Sequence, residues 1–209
     1  MSKAIVTVKP NIVKAMTHFA AKSDIRYYLN GILVEFVGSD AFLVATNGHR
    51  LAAFRGSADA PVDKPRLAIV PNELFRYVDA KRSAQPVAIH VDDDDTVGVT
   101  QGHVTMSAKA IPGIFPNWRK VVPSTLSGEL AQFNPALLAD IRTVTRLVHG
   151  SDGYPHIRHN GQGAALVDIG DENFVIVVMP FRHDDKPFKT PDWALSKESE
   201  PTSEAEAVA

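Results

Sequence analysis

Cysteine is absent from the 209 residues. That excludes disulfides, thiolate metal sites and cysteine nucleophiles, and suits a cytoplasmic location. An excess of charge of one sign is missing too. Lys and Arg number 22 against 24 Asp and Glu, a formal net charge of -2, so the chain is no polycation that coats nucleic acid by charge alone, although a local basic face stays open. No apolar run reaches the ~20 residues that span a bilayer. The opening Met1–Lys9 has no long apolar stretch followed by a small-residue cleavage site, so neither a leader nor a membrane partner is expected. What remains is a composition 44% hydrophobic and 22% charged, enough to bury a core.

The organisation within that composition is a repeat. Three times a short strand-like run is followed by Pro/Asn punctuation and an apolar stripe at helical spacing. The runs are Ile5–Val8 before Pro10-Asn11, Leu67–Val70 before Pro71-Asn72, and Leu130–Phe133 before Asn134-Pro135. Val8 to Val70 is 62 positions and Val70 to Phe133 is 63. Helices are predicted over about 12–22, from 72 to about 80, and from 135 to about 148. The third has a good cap in Asn134, Pro135 at its first position and His149-Gly150 as a stop. After each helix come three strand-like runs. In the first unit these are 27–37, 41–46 and 49–54, broken at Gly38-Ser39-Asp40 and Asn47-Gly48, the latter a strong hairpin signal. In the second they are 87–91, 96–100 and 103–108; the third ends in 174–179. The unit reads β-α-β-β-β. The predicted class is α+β, with helices on one face of antiparallel sheets. The expected division is a domain of two units at 1–122, a third unit at 123–183, and an acidic, Pro-rich disordered tail at 184–209.

Four segments carry a resemblance: Arg26–Glu35 (RYYLNGILVE), Val44–Ala52 (VATNGHRLA), Phe115–Pro123 (FPNWRKVVP) and Val177–Arg182 (VVMPFR). Their order resembles that of the bacterial DNA polymerase III β sliding clamp family, and the first three also have close to its spacing. The resemblance implies a DNA-clamp fold lacking the family's first domain and about half of its last. In function it implies a polymerase processivity factor without a catalytic site or cofactor of its own. Its partners would be DNA polymerase and clamp-loader subunits bound through short peptides, double-stranded DNA, and further copies of the chain. By the same resemblance the peptide pocket comprises Leu29, Thr46, Gly48, His49, Arg50, Leu51, Pro116, Lys120, Val121, Val177, Met179, Pro180, Phe181 and Arg182. Arg26, Tyr27 and Tyr28 fall on a loop near DNA. Asn47 stands where the family usually has Asp, and Phe181 where Met is common.

A non-encircling module that keeps the pocket and competes for clamp-binding proteins is the alternative. Lys14, Lys22, Arg76, Lys81, Arg142 and Arg146 lie on or beside the expected helices and would face DNA if those lined a hole. Phe188 and Trp193 give the tail two groups that could cover the pocket. His156 and His159, three apart, point to opposite faces of a strand and make a poor metal pair. Asp92–Asp95 reads as a solvated turn. No nucleophile, phosphate loop or paired catalytic carboxylates stand out.

Overall fold

The computed structural model describes residues 3–80, 85–181 and 189–195. Among the described residues nine strands and two α-helices follow in chain order: β1 (Lys3–Val8), α1 (Pro10–Thr17), β2 (Gly31–Thr46), β3 (Arg50–Pro71), β4 (Val87–Asp92), β5 (Thr96–Gln101), β6 (Val104–Lys109), α2 (Pro135–His149), β7 (His156–Arg158), β8 (Ala165–Asp168) and β9 (Phe174–Val178). All pairings are antiparallel. Hydrogen-bonded order runs β6-β5-β4-β1-β3-β9-β8-β7, with β2 on β3. The long β3 is the hinge of this arrangement. It pairs with β2 along its length, with β9 through Arg50–Phe54, and meets β1 where Ala58 faces Val6.

Helices cover one face. Ile12, Val13, Ala15, Met16 and Phe19 from the first helical segment, with Ile141 and Val144 from α2, bury against inward residues of β1, β2, β4, β5, β8 and β9. The two helices touch directly. The side chain of Asn11, at the start of α1, donates to the Leu147 carbonyl at the end of α2 (2.7 Å), satisfying an acceptor that the helix leaves open. On the opposite face a smaller apolar cluster holds Leu33, Val44, Leu51, Ala53, Ile69 and Val177 of β2, β3 and β9, joined by Leu29 from the turn before β2. Residues 110–123 run over this second face as a strap, buried through Phe115 and partly through Ile111, Trp118 and Val122.

α2 forms as its punctuation predicts. Asn134 Oδ1 accepts the Ala136 amide (2.9 Å), Pro135 opens the helix, and Gly150 ends it at φ 73°. Elsewhere the local expectations give way. α1 stops at Thr17 rather than continuing to 22, because the chain must turn back so that Ala21 N–H can bond Leu29 O (3.0 Å). The second helix is a single 3-10 turn, Asn72–Phe75. The Asn72 backbone amide donates to Asn30 O (3.3 Å) and its side-chain amide to Ala21 O (3.1 Å), while the Phe75 carbonyl accepts the Val78 amide (3.2 Å) and Lys14 Nζ (3.3 Å), so the segment is held as a tight turn against the first helical segment. A run this short also lies below the length at which helix propagation repays nucleation.

Gly38-Ser39-Asp40 does not end a strand. β2 passes through it while β3 bulges, with register shifts at Phe36/Gly38 and Gly38/Asp40, and Gly38 takes φ 59°. The predicted start at residue 27 is a 3-10 turn, Tyr27–Leu29, with the strand beginning at Gly31. Leu130–Phe133 forms no strand. It lies beside the end of β9, bonded where the Phe181 amide donates to Gln132 O (3.0 Å), while Phe133 drops into the core. Lys81, Arg182, Phe188 and most of the expected tail lie outside the described residues.

Candidate functional site

The site begins with a hairpin. Thr46-Asn-Gly-His-Arg joins β2 to β3, and its side chains supply most of the turn's hydrogen bonds. Asn47 Oδ1 accepts the amides of His49 (3.0 Å) and Arg50 (3.1 Å), as a carboxylate at that position would. Thr46 Oγ1 donates to Arg50 O (2.8 Å) and accepts from Gly48 N–H (3.1 Å). Gly48 sits at φ 88°, and a Cβ there would approach the Arg26 guanidinium to 2.9 Å. Past the turn, the His49 carbonyl accepts the Met179 amide (2.8 Å), carrying the β3–β9 ladder one residue beyond Arg50 opposite Val178.

This pairing aligns Thr46, Leu51 and Val177 in one row across three strands, all buried. The row forms the floor of a cleft of about 260 Å³. Leu29, Tyr28 and Arg26 close it on one side, Pro116, Trp118 and Val121 of the strap on another, and Met179 stands at the rim, 37% exposed. The lining is mainly apolar with a few polar groups at the edge, the usual make-up of a site for an apolar ligand or side chain.

Arg50 has the least ordinary place. Only 6% exposed, it turns its guanidinium away from solvent and between the helices. Nη2 donates to His18 O at the end of α1 (2.6 Å) and to Asp140 of α2 (2.5 Å); Nη1 donates to Leu137 O (3.2 Å). The Phe19 ring lies 5.2 Å from the guanidinium carbon, and the Nε atom is buried without a partner. Arg50 therefore joins the cleft to both helices, rather than merely bordering it. Beyond it lies a polar recess of about 530 Å³, lined among others by His18, Lys22, Asp24, His49 and Asp140. His18 is held below its ordinary pKa, chiefly by burial, with Asp140 opposing the shift and Arg50 adding to it.

Of the expected pocket residues, the cleft gathers Leu29, Thr46, Gly48, Arg50, Leu51, Pro116, Val121, Val177 and Met179. His49 turns to the polar recess, and Lys120 is exposed on the strap. Pro180 and Phe181 follow the rim residue without lining the cleft, and Arg182 is outside the described residues. Arg26 and Tyr28, expected near DNA, line the cleft. Arg26 is held by Asp24 through Nε (3.0 Å) and Nη2 (2.8 Å), which brings that carboxylate down to about 2. Tyr27 stays 54% exposed, edge-on to Tyr28.

Trp118 was not among the expected residues. An indole in the strap motif, whose N–H needs a partner when covered, was the available signal. Of the helix-borne cations, Lys14 is engaged with Phe75 O, while Arg142 and Arg146 are 70% and 72% exposed and reach Asp152. His159 accepts the Ala131 amide (3.2 Å) and packs on Phe133, a structural post. Trp193 is 88% exposed and is not among the residues that line the cleft.

Antiparallel sheets with helices on one face, and a strapped cleft where two strand systems join, define a DNA-clamp type of α+β fold. Solved sliding clamps share it. One from Pseudomonas aeruginosa superposes with a TM-score of 0.68 at 22% identity, over 86% of this chain and 66% of that one. One from Bacillus subtilis gives 0.69 at 15% identity, over 86% and 64%. Residues 7–117 match the family model for the DNA polymerase III beta subunit, central domain, and the chain belongs to that family. The beta sliding clamp of Vibrio cholerae is 34% identical over 114 residues, 53% of this chain and 30% of that protein. That of Escherichia coli is 31% identical over 117 residues, 54% and 31%. The match thus spans about 30% of the curated relatives' length. No helix among the described residues is long and apolar enough to cross a membrane.

Proposed function

We propose that the chain is a sliding-clamp-type processivity factor: a cytoplasmic, non-catalytic accessory of a DNA polymerase. It docks short segments of the polymerase or its loader in the cleft and self-associates around double-stranded DNA. The observation that carries this reading is the cleft itself, built where β3 meets β9 from all four separated signature segments. Buried apolar anchors contribute about 1.5–3 kcal/mol each, so two in this cleft supply about 3–6 kcal/mol, and micromolar docking at about 8 kcal/mol draws the rest from backbone and rim contacts of the bound segment. Tethering then raises the local concentration of the polymerase at its template without any chemistry by the clamp. A related solved clamp from Pseudomonas aeruginosa, 20% identical, is bound to griselimycin, which supplies a probe. The division at residues 122 and 183 belongs to this same reading.

Calorimetric titration with griselimycin, and anisotropy with a labelled hexapeptide bearing leucine and phenylalanine anchors, test the docking. Saturable binding that weakens at least tenfold in Met179→Glu, with unchanged melting temperature, is expected. Absence of binding to both probes would remove the docking reading. Retention on circular but not linearised DNA tests encirclement, with Tyr27 and the exposed Arg142 and Arg146 as the contacts to vary.

A second reading is a non-encircling module that occupies clamp-binding segments. It is favoured by the lining of the cleft, to which this chain contributes from each of its four signature segments. Peptide binding without retention on circular DNA would select it.

A further inference from the structure

One carboxylate meets two side chains of the strap beside the cleft. Trp118 belongs to a three-residue 3-10 turn, Trp118–Lys120, with no ladder partner, where an indole would ordinarily sample several rotamers. Three neighbours remove that freedom. Trp118 Nε1 donates to Glu35 Oε2 (3.3 Å), and Arg119 Nη1 donates to the same oxygen (2.8 Å). The Arg119 guanidinium lies 4.1 Å from the Trp118 ring centroid and 4.9 Å from that of Phe42, and the two rings are tilted together at 6.0 Å. Glu35 and Phe42 both stand on β2, the strand that also carries Thr46 of the cleft floor. A cation therefore covers part of the indole and its N–H edge is tied, while the ring still lines the cleft beside Val121 and Met179.

We propose that Glu35 and Arg119 are positioning residues that fix Trp118 as an aromatic wall of the cleft. Trp118 so held makes the cleft prefer an aromatic over an aliphatic anchor. The inference rests on the docking function above and names the specificity of the same site. Glu35 faces Arg119, so the charge of each is matched behind the wall. An aromatic pair gains about three- to tenfold in affinity beyond its buried area, which is the size of the expected preference. The Glu35–Arg119 pair contributes little to folding, because Arg119 is 48% exposed and such pairs are screened. Loss of Glu35 should thus be felt in the cleft before it is felt in stability.

The test uses the full chain carrying Trp193→Phe, which leaves Trp118 as the single tryptophan of the two. Acrylamide quenching of Trp118 is read without ligand, and affinity is read for two labelled hexapeptides that differ by phenylalanine against leucine at the anchor. Glu35→Ala should raise quenching, weaken the phenylalanine peptide about five- to tenfold and abolish its preference, with the melting temperature nearly unchanged. Glu35→Gln should restore most of the affinity, since an amide oxygen still accepts the indole N–H. Trp118→Phe should weaken binding by itself, and Glu35→Ala should then add nothing, the signature of a residue acting through another. Equal effects of Glu35→Ala in both backgrounds, or unchanged quenching and preference in a wild type that binds, overturn the proposal. If the wild type binds neither peptide, the docking function fails. The quenching arm then decides the positioning independently, and an unchanged value refutes it.

Discussion

Replacing Arg50 by methionine keeps an aliphatic stem against Phe19 and deletes the guanidinium that ties the cleft hairpin to both helices. Three acceptors lose their donor: the carbonyls of His18 and Leu137, and the carboxylate of Asp140. The structure sets the scale. A hydrogen bond to a charged group contributes about 1.5–3 kcal/mol, and breaking a buried ion pair costs about 3–5 kcal/mol because one charge is stranded. Asp140 escapes most of that penalty, since its side chain is 43% exposed and water can take the place of Arg50. Of the two carbonyls, that of His18 follows the end of α1, where no further helix amide is available, whereas that of Leu137 lies in the first turn of α2. Against this, methionine removes the unpartnered buried Nε atom. The net expectation is a loss of about 3 kcal/mol, a large share of the ~5–15 kcal/mol that holds a domain together. Urea unfolding followed by far-UV circular dichroism reads it as a lower midpoint at unchanged slope. Asp140→Asn should cost less than Arg50→Met, and the double variant less than the sum of the two. A loss below about 1 kcal/mol in Arg50→Met would refute the view that this side chain joins the helices to the sheet.

Three further outcomes follow from other parts of the fold. His90 and His18 are both held below the ordinary histidine value of 6.5 chiefly by burial, against the opposing pull of Asp92 and Asp140. Between the depressed values and 6.5 the unfolded chain binds more protons, so stability should be fully present above about pH 6.5 and fall as the solution is acidified. The carboxylates of Asp24 and Asp94, near 2, stay charged in that window. A urea midpoint equal or higher at pH 5 than at pH 7.5 would contradict this sign. Gly98 faces His90 across β4 and β5, and a Cβ at Gly98 would overlap the imidazole. Gly98→Ala should therefore cost about 1–3 kcal/mol, with part of the loss recovered by adding His90→Ala; a melting temperature within a degree of wild type would count against the packing. Asn134→Ala removes the cap of α2 and should cost about 1 kcal/mol, measured in the same way, whereas an unchanged value would mean that the cap is satisfied by water.

Legibility in the sequence followed the range of the interactions. The 46–51 hairpin and α2 were readable because their determinants are neighbours: Asn47 bonds two and three residues ahead, Asn134 two residues ahead, and Gly150 supplies a left-handed stop. The second helix was misjudged. Leu74, Phe75 and Val78 bury at helical spacing, yet Asn72 and Phe75 bond to Ala21 and Lys14, more than fifty positions away. The break predicted at Gly38 became a bulge for a similar reason: β3 carries more residues than β2 over the same span and must bow out to keep its register at both ends. The pocket residues were carried by resemblance, and the structure redistributes them. His49 turns aside, while Arg26, Tyr28 and Trp118 join the lining.

By itself the sequence determined the class of fold, the strongest turn and the best-capped helix, because alternation, periodicity and capping act within a few residues. Only the tertiary structure decided that Leu51 and Val177 share a floor, that Arg50 reaches past that floor to two helices, and that Glu35 holds Trp118 from 83 positions away. Those contacts depend on the register of β3 against β2 and β9. Register is selected by the whole buried face at once, since a slip of one residue would turn every side chain of the strand to the other side.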